Sequence, residues 1–147
     1  MSALWTKARG AARSARLLLE AGDPDGAVNR AYYAMFGAAR AALSTVRSTL
    51  AHSKKHSTIV RRFDRHLVAE RGFDRALGRG FLNRQRHARW VADYADASAE
   101  PAQAQVVVAD MERLLAAVEP LVTAAAGRKR RVPKLRTPVA HQDAAHG

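Results

Sequence analysis

The segment from Arg84 to Tyr94 combines cationic and aromatic side chains within eleven residues. Its chemically active members are Arg84, Arg86, His87, Arg89, Trp90, Asp93 and Tyr94. On a helix, the Arg86/Arg89 and Arg89/Asp93 spacings each place the two side chains on one face. Arginine binds phosphate in a bidentate manner, and aromatic rings stack on unpaired bases. The segment therefore indicates single-stranded RNA binding, with an exposed, salt-bridged helix face as the alternative.

A second string, residues 29–36, places polar and aromatic side chains on one side of a helix. Asn29, Tyr33 and Phe36 lie at positions i, i+4 and i+7. Asparagine is mildly unfavourable inside a helix, so we expect Asn29 to hydrogen-bond to another helix or to Tyr33. The tyrosines of this string either pack in the core with a satisfied hydroxyl or contact a ligand.

Several other chemistries lack the residues that they need. The chain has no cysteine, no Gly-rich phosphate loop and no histidine–carboxylate helix motif of the metalloprotease type. His52 and His56 fall in a predicted loop, where a metal-binding pair is the alternative to two solvated side chains. No acidic or sulfur ligand lies near them in sequence. We therefore expect neither a metal nor a cofactor.

The chain is strongly basic. Lys and Arg total 25 against 13 Asp and Glu, which gives a net charge of +12, and 20 of the cations are Arg. An excess of this kind is typical of nucleic-acid-binding proteins. An arginine bias that comes from a GC-rich genome is the alternative explanation.

Hydrophobic periodicity predicts an all-α protein. The predicted helices cover residues 4–21, 24–47, 57–70, 74–94 and 99–126, with a loop at 48–56. Gly22 ends the first helix, and Asp23-Pro24 begins the second. Small residues along the second helix allow close approach of a neighbour; they are Ala27, Ala31, Ala34, Ala38 and Ala42. We predict an antiparallel, up-and-down bundle of four to five helices.

Composition divides the chain into a helical bundle at residues 1–126 and a basic tail at residues 127–147. The tail carries Pro133 and Pro138 without periodicity, and we predict that it is disordered. Its six cations support one hypothesis of function, a weak one, in which the tail binds nucleic acid. Since no run of about 18 apolar residues and no signal-peptide core are present, we expect a cytoplasmic protein without membrane contact.

The landmarks of the chain, in their order, resemble those of the HEPN family. They are residues 29–36 (NRAYYAMF), His56-Ser57, residues 63–68 (FDRHLV) and residues 89–94 (RWVADY). The resemblance is to small bacterial and archaeal members with an NRxYYAxF helix and a later RxxADY. It extends from about Leu4 to Leu121.

This resemblance implies an antiparallel helical bundle that forms a homodimer. Many HEPN proteins are the toxin half of a two-gene module, beside a minimal nucleotidyltransferase antitoxin. Active members are metal-independent RNases whose signature is Arg, then four to six residues, then His. In that chemistry the histidine acts as acid or base on the ribose 2′-hydroxyl, while the arginine holds the phosphate.

The chain departs from this signature at its last position. Arg89 is followed after four residues by Tyr94, where active members carry histidine. A tyrosine with an ordinary pKa near 10 is a poor general base at neutral pH. The spacing also occurs by chance elsewhere, at Arg47/His52, Arg61/His66 and Arg136/His141. Of these, only Arg61/His66 lies in a predicted helix.

Two functions follow from the resemblance. The first is a HEPN toxin-like component of a toxin–antitoxin or defence module, which binds RNA, acts as an endoribonuclease and pairs with a nucleotidyltransferase antitoxin. Arg89 and Tyr94 are then the catalytic pair, and the Tyr94 hydroxyl could also accept a nucleotide. RNA or nucleotide binding is assigned to Asn29, Arg30, Tyr33, Arg86, His87 and Asp93. The alternative is a non-catalytic helical interaction or nucleotide-binding module that supports a partner nucleotidyltransferase.

Overall fold

A computed structural model describes residues 2–131, which form five α-helices joined by short connections. The helices are α1 (Ala3–Glu20), α2 (Pro24–Val46), α3 (His56–Phe63), α4 (Arg79–Tyr94) and α5 (Pro101–Arg131). No strand occurs among the described residues, and the predicted all-α antiparallel bundle is confirmed. The greater part of the predicted tail, residues 132–147, lies outside the described residues.

Capping residues mark the start of α1 and, as predicted at Gly22 and Asp23-Pro24, the turn between α1 and α2. The Ser2 hydroxyl accepts a hydrogen bond from the Trp5 backbone N–H at 3.2 Å, which caps α1. Gly22, with φ of 80°, reverses the chain after α1. Asp23 then caps α2 by accepting from the Gly26 N–H at 2.9 Å. Local capping therefore defines the turn between α1 and α2.

Helix α2 lies at the centre of the bundle and packs against all four other helices. Its predicted small residues, Ala27, Ala31, Ala34, Ala38 and Ala42, are fully buried. A Cβ added at Gly37 would lie 3.3 Å from the Cβ of Ala8, so α1 and α2 approach closely here. Helix α4 packs against α2 as well, so that polar and aromatic residues of α2 lie beside α4.

The start of α4 differs from the prediction. Asp74 caps a short 3₁₀ turn, Arg75–Leu77, and α4 begins only at Arg79, so the predicted start near Asp74 is wrong. Helix α3 runs on as a π-helical segment, Asp64–Ala69. The Arg79 N–H donates to the Asp64 carboxylate at 3.1 Å. A carboxylate from another element therefore sets where α4 begins.

Helix α5 has 31 residues and closes the bundle. It packs an apolar face into the core, where Met111, Leu114 and Val118 are fully buried. The helix continues through Gly127 to Arg131, past the 126/127 boundary that composition predicts. None of the helices within residues 2–131 has the combined length and apolar character that a membrane span requires.

Candidate functional site

An ion pair on α4 forms the centre of the candidate site. Arg89 Nε lies 3.1 Å from Asp93 Oδ2, one helical turn away. The two side chains are only 27% and 24% exposed, so the pair is partly shielded from solvent. Such shielding strengthens the attraction between the two charges. The predicted pairing of Arg89 with Asp93 is therefore present.

Asp93 also connects α4 to α2. The Asn29 side-chain amide donates to both carboxylate oxygens of Asp93, at 3.1 Å each. Of the two partners expected for Asn29, the one on another helix is the partner observed. Asp93 therefore holds Arg89 on one side and α2 on the other, and this fixes the position of the guanidinium.

Two tyrosine rings of α2 complete the surroundings of Arg89. Its Nη2 donates to the Tyr33 hydroxyl at 3.2 Å. Its guanidinium carbon lies 5.4 Å from the ring centroid of Tyr32 and 5.5 Å from that of Tyr33. The guanidinium carbon of Arg30 lies 5.9 Å from the ring centroid of Tyr33. Cation–π contacts of this kind stabilise a guanidinium in one orientation.

The site is bordered by exposed aromatic rings. Tyr33 is 42% exposed, Trp90 56% and Tyr94 64%. The Trp90 and Tyr94 rings lie 5.8 Å apart at a tilt of 43°. Exposed rings of this kind offer stacking surfaces for unpaired bases.

The predicted site residues divide into two groups. The structure brings five of them into one connected cluster, which we call the Arg89 cluster: Asn29, Arg30, Tyr33, Arg89 and Asp93. Arg86 and His87 lie exposed on α4. The ring of Tyr94 contacts Trp90, and within residues 2–131 its hydroxyl makes no hydrogen bond. Tyr94 therefore lies beside the cluster and is not joined to it.

A hydrogen-bonded network around His56 was missed by the sequence prediction. His56 is the first residue of α3 and not the end of a loop. Its Nδ1 lies 2.9 Å from the Tyr32 hydroxyl, and its Nε2 lies 3.2 Å from Asn83 Oδ1. Since the amide oxygen is an acceptor, Nε2–H donates to it and Nδ1 accepts from Tyr32. Phe36 stacks on the imidazole at 6.1 Å.

Burial and the neighbouring arginines decide the charge of this network. Burial lowers the pKa of His56; the hydrogen bond to Asn83 opposes that shift, and Arg86 adds to it. Burial raises the pKa of Tyr32, and Arg89 and Arg86 partly oppose the rise. Both side chains are therefore neutral at pH 7. Because both nitrogens of His56 have partners, this histidine has none free to act as a base or to bind a metal with His52.

We expect protein stability to fall as the pH drops below about 6.5, the ordinary histidine pKa. The folded-state pKa of His56 lies below that value, so between the two values the unfolded chain binds more protons than the folded one. The stabilisation is complete above pH 6.5. Melting temperatures of the wild type and His56→Gln, recorded from pH 8 to 5, should show a shallower decline for the variant. His87→Gln, at an exposed position of α4, is the control. Identical slopes in all three proteins would contradict this role of His56.

Known proteins resemble this chain over most of the helical bundle. The model of the HEPN domain family matches residues 1–121. The chain is also 32% identical over 114 residues to a UPF0332 protein of Gloeobacter violaceus, an alignment that covers 76% of this chain and 87% of that protein. The chain belongs to the HEPN family.

Arg89 and Tyr94 are the two residues of this HEPN protein that we predicted to correspond to the RNase signature. The other helical candidate for the signature histidine, His66, pairs through Nδ1 with Glu70 at 3.3 Å. In the described part of the chain, His56 is the histidine that reaches the Arg89 cluster, through Tyr32. Among the described residues, the site therefore brings a guanidinium and exposed aromatic rings together, and no unpartnered imidazole contacts Arg89.

Proposed function

We propose that this HEPN protein binds single-stranded RNA at the Arg89 cluster, as the toxin-like component of a toxin–antitoxin or defence module. The observation that carries the proposal is the fixed guanidinium of Arg89, held by Asp93 and Tyr33 and bordered by exposed aromatic rings. Phosphate binding gains most when the cation is already in position, because less conformational entropy is lost on binding.

The residues of the cluster and their neighbours on α4 each have a role in this proposal. Arg89 contacts a phosphate, and Arg30 and Arg86 add positive charge on either side. Tyr33, Trp90 and Tyr94 stack on bases. Asn29 and Asp93 hold Arg89 in place, and His87 contacts the strand from the exposed face of α4. If the RNA is cut, Arg89 would stabilise the charge on the phosphate, and the Tyr94 hydroxyl would donate a hydrogen bond to it.

The assembly that we propose is a homodimer paired with a minimal nucleotidyltransferase antitoxin in the cytoplasm. Pairing through α4 would bring two Arg89 clusters close to each other, so that both contact one RNA strand.

A second candidate is a non-catalytic helical interaction or nucleotide-binding module that supports the nucleotidyltransferase. The observation in its favour is the chemistry of the signature. Tyr94 replaces the histidine, and the nearby His56 has partners at both ring nitrogens. In this case the partner performs all the chemistry.

Expression in a bacterial host tests the proposal and separates the two candidates. We expect the wild type to arrest growth and degrade cellular RNA if the Arg89/Tyr94 pair is catalytic, and Arg89→Ala to restore growth. Binding of the purified proteins to a labelled single-stranded RNA should weaken at least about tenfold in Arg89→Ala, because a hydrogen bond to a charged group contributes about 1.5–3 kcal/mol.

Arg61→Ala is the matched control, since Arg61 is exposed and begins the other helical Arg-to-His spacing. It should behave like the wild type in both assays. Normal growth combined with Arg89-dependent RNA binding would favour the non-catalytic module. No RNA binding by the wild type would overturn the proposed function.

A further inference from the structure

A second basic and aromatic surface lies between α1 and α2, beside the Arg89 cluster. It is a groove of about 270 Å³, and its lining includes Lys7, Arg30, Tyr33, Phe36 and Arg40. None of the lining residues, all within the described chain, is acidic. Because three cations converge on it without a carboxylate to neutralise them, the groove carries a concentrated positive charge.

The packing of the two helices creates this groove. At Gly37, which also lines it, the absence of a side chain lets α2 approach Ala8 of α1 closely. The small lining residues Ala8 and Ala11 give the groove an apolar part, and Lys7 and Arg40 bring long cationic side chains to it. Arg40 is held by a hydrogen bond from Nε to the Ala51 carbonyl at 2.9 Å. Its position is thus fixed before any ligand binds.

Tyr33 connects the groove to the Arg89 cluster. The ring of Tyr33 lines the groove, and its hydroxyl accepts the hydrogen bond from Arg89. Arg30 lies over the same ring. A strand that contacts a phosphate at Arg89 and stacks a base on Tyr33 would therefore enter the α1–α2 groove next.

We propose that this groove, which Lys7 and Arg40 help to line, binds the continuation of the single-stranded RNA held at Arg89. This inference rests on the proposed function. Alternating cations and aromatic rings are the arrangement that binds an unpaired strand, with phosphates at the cations and bases on the rings. A duplex fits less well, since its bases already stack on one another and leave no free face for Tyr33.

The test is the salt dependence of RNA binding by full-length Lys7→Gln, Arg40→Gln and the double variant. Removing one cation that binds a phosphate of a single strand makes the plot of log affinity against log salt shallower by about 0.7. We expect the double variant to reduce the slope by about 1.4 and to bind a labelled single-stranded RNA roughly tenfold more weakly near 0.1 M salt. A duplex RNA of the same length should bind more weakly than the single strand to the wild type.

The matched control is Lys54→Gln/Arg75→Gln, which removes one Lys and one Arg at exposed positions outside the groove. An equal loss of affinity in both double variants would mean that net charge alone is responsible, and it would overturn the inference. Lys7→Gln alone, which leaves the Arg40–Ala51 hydrogen bond in place, guards against a folding defect and should reduce the slope by about 0.7. If the wild type binds RNA through Arg89 but none of the groove variants differs from it, the groove inference fails while the proposed function stands.

Discussion

Arg89→Lys is expected to weaken single-stranded RNA binding about tenfold, even though the variant keeps its positive charge. Arg89 forms an ion pair with Asp93 through Nε and donates a hydrogen bond to Tyr33 through Nη2, and its guanidinium carbon lies over two rings. Lysine is a compact point charge that cannot make both contacts with a planar fork. The loss of one charge-assisted hydrogen bond between this side chain and a phosphate, about 1.5–3 kcal/mol, corresponds to a tenfold or larger decrease in the affinity for RNA.

Fluorescence anisotropy with a labelled RNA at fixed salt measures this effect. Arg113→Lys is the control, because Arg113 pairs with Asp110 within α5 and is 58% exposed. It should change affinity by less than about twofold, since exposed ion pairs contribute little. If Arg89→Lys binds the RNA as tightly as the wild type does, the positive charge alone binds the phosphate and the fixed orientation of the guanidinium does not contribute.

The centre of the site could be predicted from sequence because two of its contacts follow from helix periodicity or propensity. Arg89 and Asp93 are four residues apart on one helix, and this spacing brings their side chains together. Asn29 is unfavourable inside a helix, which predicts a polar partner. Which partner it has depends on packing, since Asp93 lies 64 residues away. Periodicity identified the participants, and the contact between α2 and α4 determined the pairing.

The His56 network could not be predicted in the same way. Its three members, Tyr32, His56 and Asn83, lie on three different helices, and no spacing rule relates them. The sequence around His56 is polar and lacks periodicity, which indicates a loop. The predicted start of α4 was wrong for a similar reason. The first backbone N–H of the helix, that of Arg79, donates to Asp64, which lies 15 residues earlier in the chain. Long-range hydrogen bonds thus account for both failures.

Leu4 and Trp5 show that two adjacent residues of a helix can both fit its apolar spacing. An apolar series that steps back four residues from Ala8 reaches Leu4, whereas the structure buries Trp5 to 2% exposure and leaves Leu4 at the margin of the core. Both residues fit the same three- and four-residue spacing with Ala8. An alanine-rich helix gives little information on which of two adjacent large residues points inward, so the packing against α5 decides.

Trp5→Ala is expected to destabilise the protein by about 3–5 kcal/mol, the usual cost of removing a fully buried aromatic side chain. The loss combines the transfer free energy of the indole with the cavity left among small neighbours, Ala8 and Ala12, which cannot fill it. Guanidinium unfolding followed by circular dichroism measures the free energy of unfolding. Leu17→Ala, on the same helix at 66% exposure, should stay within about 0.5 kcal/mol of the wild type.

Trp5→Phe tests the physical origin of that loss. The Trp5 indole nitrogen is buried without a hydrogen-bond partner among the described residues. A buried, unsatisfied donor costs about 1–3 kcal/mol, so phenylalanine removes this penalty while leaving a smaller cavity. The two effects oppose each other, and we expect Trp5→Phe to lie within about 1.5 kcal/mol of the wild type. A loss as large as that of Trp5→Ala would show that the indole N–H has a partner in solution and contributes to stability through it.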